Sequence, residues 1–204
     1  MKIVGITYYD GEENIVLKSD SSLLVNRKPL FVPESVHELQ ALPCIVLRVS
    51  RLGKCIAPRF ASRYYDAVAP GLDFFAADQL REAKAAGKPW TQAIAFENSL
   101  AVGEWEEIDR YAEREKTAAL KEESLITSQW LLERDGGQTE LMKWEMGGQQ
   151  EVLDDAIARA SELLTIRQGD MRYVAIGVQP WQLQSNDLIC CADGEKEQLY
   201  CKIK

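Results

Sequence analysis

The sequence predicts an α+β fold, mostly β, in a single domain over residues 1–204 with a few peripheral helices. Three observations carry that expectation. Short apolar and β-branched runs recur along the chain, Pro and Gly fall between them at scattered positions, and helical spacing is confined to a few stretches. No repeat, low-complexity tract or linker interrupts the sequence.

Ile3 to Thr7 reads as a short strand. Pro43 to Ser50 is apolar and β-branched, bounded by Pro43 and by Leu52-Gly53-Lys54, the pattern of a buried strand. Ala76 to Ala86 is rich in helix formers and stops at Gly87, with Pro89 just beyond. Trp105 to Lys121 is charged and reads as partly helical or as a loop. Thr127 to Leu132 and Glu140 to Trp144 pair as a hairpin through Asp135-Gly136-Gly137, residues that favour positive φ. Glu151 to Leu164 places Val152, Ala156, Ile157, Ala160, Leu163 and Leu164 near one helical stripe, with Glu151, Asp154 and Asp155 at the dipole's positive end. The tail returns to strand over Met171–Val178, Leu188–Cys191 and Leu199–Ile203.

Composition bounds the function. A formal net charge of −8 opposes binding to nucleic acid or an anionic membrane, since neutralising phosphates needs a basic surface. No apolar run approaches the roughly 18 residues of a membrane span or forms a signal peptide, so a cytoplasmic location is expected. Five cysteines, an odd number without a C-x-x-C pair, read as reduced thiols rather than as a disulfide framework or a zinc knuckle. Cys190 and Cys191 are adjacent on a strand and face opposite ways, so they cannot share one metal. The five tryptophans are scattered, which suits core and dimer packing better than a stacking surface. The acidic runs Glu104 to Asp109 and Glu113 to Lys116 read as solvated faces.

Several segments fall in a recognisable order: KSDSSLL from Lys18, KPLFVP from Lys28, VLRVSRLGK from Val46 and FASRYYD from Phe60. GLDF from Gly71, GKPW from Gly87, Ala95-Phe96 and RQGD from Arg167 follow. As a set, spread over nearly the whole chain, they resemble the fumarylacetoacetate hydrolase family. The resemblance implies a mixed β-sheet roll or barrel with peripheral helices, commonly assembled as a homodimer. It also implies a divalent cation held by a Glu-x-Glu pair on one strand and an Asp elsewhere. Such a cation stabilises the enolate when 2,4-dioxo acids, acylpyruvates or oxaloacetate are cleaved. Alternate residues of a strand share a face, so two carboxylates spaced i, i+2 converge on one hard ion.

On this sequence the implied Glu-x-Glu positions fall on Leu42 and Cys44, and neither is an oxygen ligand. The Asp position is kept as Asp73, a vestigial metal ligand by that resemblance and, more plainly, a cap for the helix that follows. The catalytic lysine's position is Ile94, and the polar positions after the Asp are Ala77 and Leu80. Near the N-terminus Tyr8 is kept from an Asn-Tyr pair, the general-base histidine's position reads Gly11, and the stretch to Lys18 is too short for the family's lid. The late Thr-Gly-Thr-Pro loop departs as Ala175 to Pro180.

The expectation is therefore a catalytically impaired or inactive member, with Tyr8, Leu42, Cys44, Asp73, Ala77 and Ile94 lining the former pocket and no cofactor. It would be retained to bind a small acid or an apolar ligand, or to assemble as a homodimer or as a mixed dimer with an active relative. One alternative is a hydrolase, decarboxylase or isomerase using Mg or Mn on a rearranged set, His37, Glu38 and Asp73. Another is an interaction module whose pocket has turned apolar. Cys44 as nucleophile or soft-metal ligand is weighed against an inert buried thiol with no base beside it.

Overall fold

Two sheets make up the computed structural model, which describes residues 1–9, 11–108, 127–145, 150–177 and 179–204. The larger has the strand order β2-β1-β10-β4-β5-β6-β3, with β11 on β4 and β7 on β5; the smaller has the order β13-β12-β8-β9. These strands are β1 Ile3–Tyr9, β2 Glu12–Lys18, β3 Leu23–Val25, β4 Leu39–Val49, β5 Tyr65–Ala76, β6 Leu100–Val102, β7 Glu106–Glu107, β8 Thr127–Arg134, β9 Gly137–Glu145, β10 Met171–Ala175, β11 Trp181–Gln182, β12 Leu188–Asp193 and β13 Lys196–Lys202. The larger sheet is mixed, because β1 runs parallel to β10 and β3 parallel to β6. Every pairing in the smaller sheet is antiparallel.

The spine is the β4–β5 ladder, in register from Leu39↔Ala76 to Val49↔Tyr65 with one bulge. Its two faces serve different cores, as the alternation of a strand requires. Leu39, Ala41, Leu72 and Phe74 face the smaller sheet, packing with Trp130, Ile189, Leu199 and Cys201. Leu42, Cys44, Val46, Ala69 and Phe75 face inward, together with Ile3, Tyr9, Tyr173 and Leu100. Ile45, Leu47 and Val68 pack beneath the Gln150–Leu163 helix through Leu153 and Ile157.

The larger sheet curls into a roll. Its edge strands β2 and β3 are separated in sequence only by residues 19–22, a 3-10 turn over Asp20–Ser22. Five Cα steps span at most about 18 Å, so the two ends of the sheet are drawn together. The interior of that roll is the inward-facing core.

The expected elements form at Ile3–Tyr9, Leu39–Val49, Ala77–Ala85, Gln150–Leu163, Met171–Ala175, Leu188–Asp193 and Lys196–Lys202. The predicted hairpin forms too, its turn carrying φ of 51° at Asp135 and 76° at Gly136. Of the stretch 105–121, residues 106–107 form β7, and residues 109–121 lie outside the described residues, as do Asp109 and Glu113 to Lys116 of the acidic runs.

The longest strand, β5, is not among the elements read from the sequence, and Pro70-Gly71 lies within it. In place, the Pro70 carbonyl accepts from the Gly103 N–H at 2.8 Å. A Cβ at Gly71 would stand 2.7 Å from Val46 Cγ2 and 2.9 Å from Cys44 Sγ, so close strand approach makes glycine necessary.

All five cysteines are free, Cys191 buried and Cys190 half-buried on β12. Among the described residues no helix is long and apolar enough to cross a membrane.

Candidate functional site

Strand register brings the implied ligand positions together. On the β4–β5 ladder Leu42 is the cross-strand partner of Asp73, and Cys44 is the partner of Gly71 two residues along, on the same inward face. Leu42, Cys44 and Asp73 are each 0% exposed. Ala77, Leu80 and Ile94 join the same inward core, with Trp90 packed at its side.

Asp73 sits within β5 and does not cap the following helix, whose first turn has no side-chain cap. Its carboxylate is engaged by the chain itself. Oδ2 accepts from Thr7 Oγ1 at 2.8 Å and from the Tyr9 hydroxyl at 3.0 Å. Oδ1 lies 2.7 Å from Lys18 Nζ, and neither side chain of that pair has any exposed surface. Lys18 Nζ also donates to the Ser99 carbonyl at 2.8 Å, with Ser99 Oγ at 3.2 Å and the Phe74 carbonyl at 3.4 Å. The Tyr173 hydroxyl is buried beside them without a hydrogen bond of good geometry.

The local sequence explains how each group arrives. Thr7 and Tyr9 are alternate residues of β1 and share its inward face. Val16 and Lys18 do the same on β2, while Ile15 and Leu17 face out at 40% and 52% exposure. Tyr173 needs the room left by Gly5, its partner on β1, where a Cβ would stand 2.0 Å from the ring's Cζ. Tyr9 is held by ring contacts to Phe75 at 4.8 Å and Trp90 at 6.0 Å.

Burial dominates the electrostatics here. It pushes the Cys44 thiol well above its usual range, with the Asp73 charge adding to the shift and Lys18 opposing it. The result is a protonated, inert thiol. Burial and the Asp73 charge likewise hold the Tyr9 and Tyr173 hydroxyls protonated. Burial pulls the Lys18 ammonium below the usual lysine range, against the attraction of Asp73.

The donor set does not fit a divalent cation. Such an ion takes about six oxygen ligands, and this site offers one carboxylate that an ammonium already faces. Among the described residues no three His, Cys, Asp or Glu side chains gather to hold a metal. The rearranged set is not assembled either. His37 is exposed, Glu38 pairs with Arg81 at 2.8 Å, and Asp73 is turned into the roll.

Tyr8 is placed differently from the sequence expectation. Tyr8 points to the outer face, where its hydroxyl meets Glu13 at 3.4 Å, and the inward tyrosine is its neighbour Tyr9. A one-residue change on a strand reverses the face. Gly11 lies in the β1–β2 turn with φ 77°. Lys18, Thr7 and Tyr173 were not singled out as site residues, since nothing local distinguishes a lysine at a strand's end from a surface lysine.

No family model matches the sequence, and no curated protein matches it. Solved structures do. Fumarylpyruvate hydrolase from Pseudomonas aeruginosa, in complex with Mn2+ and pyruvate, is 16% identical with a TM-score of 0.72 over 99% of this chain and 88% of its own. A protein from Yersinia pestis CO92 described as a fumarylacetoacetate hydrolase family member is 16% identical with a TM-score of 0.75 over 100% and 92%. The 5-carboxymethyl-2-hydroxymuconate delta-isomerase of Mycobacterium smegmatis is 14% identical with a TM-score of 0.73 over 99% and 78%. The chain has the fold these proteins share.

Proposed function

We propose that this chain keeps the fumarylacetoacetate hydrolase fold without its metal-dependent chemistry and serves as a binding or assembly protein. One observation carries the reading: the positions that converge at the former site, Leu42, Cys44 and Asp73, are all 0% exposed inside a packed core. An oxo acid and a cation, such as the pyruvate and Mn2+ of the Pseudomonas aeruginosa structure, need an open pocket and several oxygen ligands. Here Tyr9, Phe75 and Ile94 belong to the same buried cluster as Leu42 and Cys44. Replacing a pocket's ionic groups by Leu42, Cys44, Ala77 and Ile94 removes the burial cost of charge and favours filling by the chain's own side chains. Binding then belongs to the outer surface, with a second copy or an active relative as the assembly partner, in the cytoplasm.

Metal content by elemental analysis, with calorimetric titration of Mg2+ and Mn2+, tests the reading. The expected result is no stoichiometric metal and no binding at millimolar concentration. One tightly bound ion per chain, with turnover of an acylpyruvate or oxaloacetate, would overturn it.

A further inference from the structure

We infer that the chain pairs with a second copy of itself about a two-fold axis beside the middle of the Gln150–Leu163 helix, helix against antiparallel helix and the outer face of β2 against that of its copy. The inference rests on the reading above that binding belongs to the outer surface, and it names the partner and the surface.

Two elements point to the same axis independently. On the helix, Val152, Asp155, Arg159 and Leu163 step by three, four and four residues and so share one face. Val152 and Leu163 are apolar, yet 46% and 59% exposed there. Laid antiparallel against itself, this stripe is its own complement: Val152 meets the partner's Leu163, and Asp155 meets the partner's Arg159. Both pairings centre on residues 157–158 of the helix. On the sheet, the helix lies over β10 and β1, where Ala156 packs with Ile6 and Val174. Edge strand β2 lies beyond them, and its outward Ile15 and Leu17 are exposed. Ile15 is the cross-strand partner of Ile6 and so stands level with Ala156. Glu13 lies toward the helix's N-terminal end with Glu151 and Val152, so Leu17 lies toward its C-terminal end. Val16, one residue past Ile15, is about 3.3 Å further along, close to two helix residues. The centre of the Ile15 and Leu17 pair is therefore level with residue 158, the centre found from the helix. One axis brings Ile15 against the partner's Leu17 as well.

Charged and apolar groups take separate roles on this face. Asp155 and Arg159 of both copies make a ring of four charges alternating in sign, and Arg159 also reaches Glu13 of its own chain. In the separate chain water screens these charges. Between copies they fix the register and reject a parallel arrangement, which would set each charge against its own kind. Val152, Leu163, Ile15 and Leu17 supply the apolar area whose burial drives association. A relative fits this face only by carrying the same stripe, whereas a second copy carries it by identity.

The test is the mass of the full chain by sedimentation equilibrium over micromolar concentrations, with circular dichroism to show that each variant folds. The expected mass is twice the 23.0 kDa of one chain. Leu17→Lys/Leu163→Lys, at positions exposed in the separate chain, should raise the dimer dissociation constant at least about 100-fold by setting ammonium groups in the apolar contact. Register is tested by charge reversal in a Glu13→Gln background, which takes the pair within one chain out of the comparison. There Asp155→Arg sets arginines against arginines and separates the copies, and adding Arg159→Asp restores opposite charges across the axis and the dimer with them. A monomer at every concentration, a dimer that survives the lysine pair, or a double reversal no better than the single would each overturn the inference. Metal analysis decides the functional reading separately, because its result does not depend on the mass of the assembly.

Discussion

Tyr8 and Tyr9 are neighbours on β1 and give their hydroxyls to two carboxylates that are each paired with a cation. Tyr9 faces inward to Asp73 and Lys18, all without solvent. Tyr8 faces outward to Glu13, which pairs with Arg159 of the Gln150–Leu163 helix across a groove of about 260 Å³. The side-chain exposure of Arg159 and Glu13 is 32% and 39%. The chemistry is nearly the same on the two faces, and water makes the difference. Outside, hydration can replace any lost partner, so the triad adds little. Inside, each group depends on the others, because an unpaired buried charge or donor has no substitute.

The sharpest way to break this comparison is to remove the inner carboxylate. Asp73→Ala leaves the ammonium, the Thr7 hydroxyl and the Tyr9 hydroxyl without their shared acceptor, and should cost about 3–5 kcal/mol in denaturant unfolding. A loss under about 1 kcal/mol would mean the inner cluster is as replaceable as the outer one.

The tyrosines themselves give a matched pair. Tyr9→Phe removes a hydrogen bond to a buried charged group and should cost about 1.5–3 kcal/mol, while Tyr8→Phe should stay within about 0.5 kcal/mol. Equal effects in urea titrations would erase the distinction between the faces. Gly5→Ala probes the same interior sterically. Its Cβ would fall 2.0 Å from the Tyr173 ring, so the ring must shift, at about 1–3 kcal/mol.

The outer pair should respond least. Arg159→Ala is expected to cost under about 1 kcal/mol, and that cost should vanish at 1 M salt, where charges are screened within about 3 Å. Its pH dependence has a definite sign. The Arg159 hydrogen bond holds the Glu13 carboxyl below the usual carboxylate range. Its small contribution is therefore complete above the unfolded-state pKa and is lost as pH falls through the lowered folded value. Comparing wild type with Glu13→Gln across that window isolates it, and a difference that grew at alkaline pH would contradict the assignment.

Elements with a strong local pattern were legible. The helix at Gln150–Leu163 was legible as an element, although of its expected stripe Val152 and Leu163 are exposed and Leu153 is buried instead, and the hairpin turn at Asp135-Gly136 advertises its positive φ. β5 was not read from the sequence; with Pro70 and Gly71 at its centre, it forms against β4. The substitutions at the site were legible in the same way. The side chains of Leu42 and Cys44 carry no oxygen for a hard ion in any fold, and that follows from residue identity alone.

The sequence by itself therefore determined which residues stand at the positions the resemblance marks: Leu42, Cys44, Ile94 and Gly11. Only the tertiary structure decided what meets Asp73. Lys18 lies 55 residues from Asp73 in sequence, and the two meet because the sheet curls until the inward face of its edge strand looks across at β5. Residue type and spacing specify which groups a chain owns and which face of a strand each one takes. Which faces meet across a closed roll is a long-range consequence of strand order and curvature, and no local pattern encodes it.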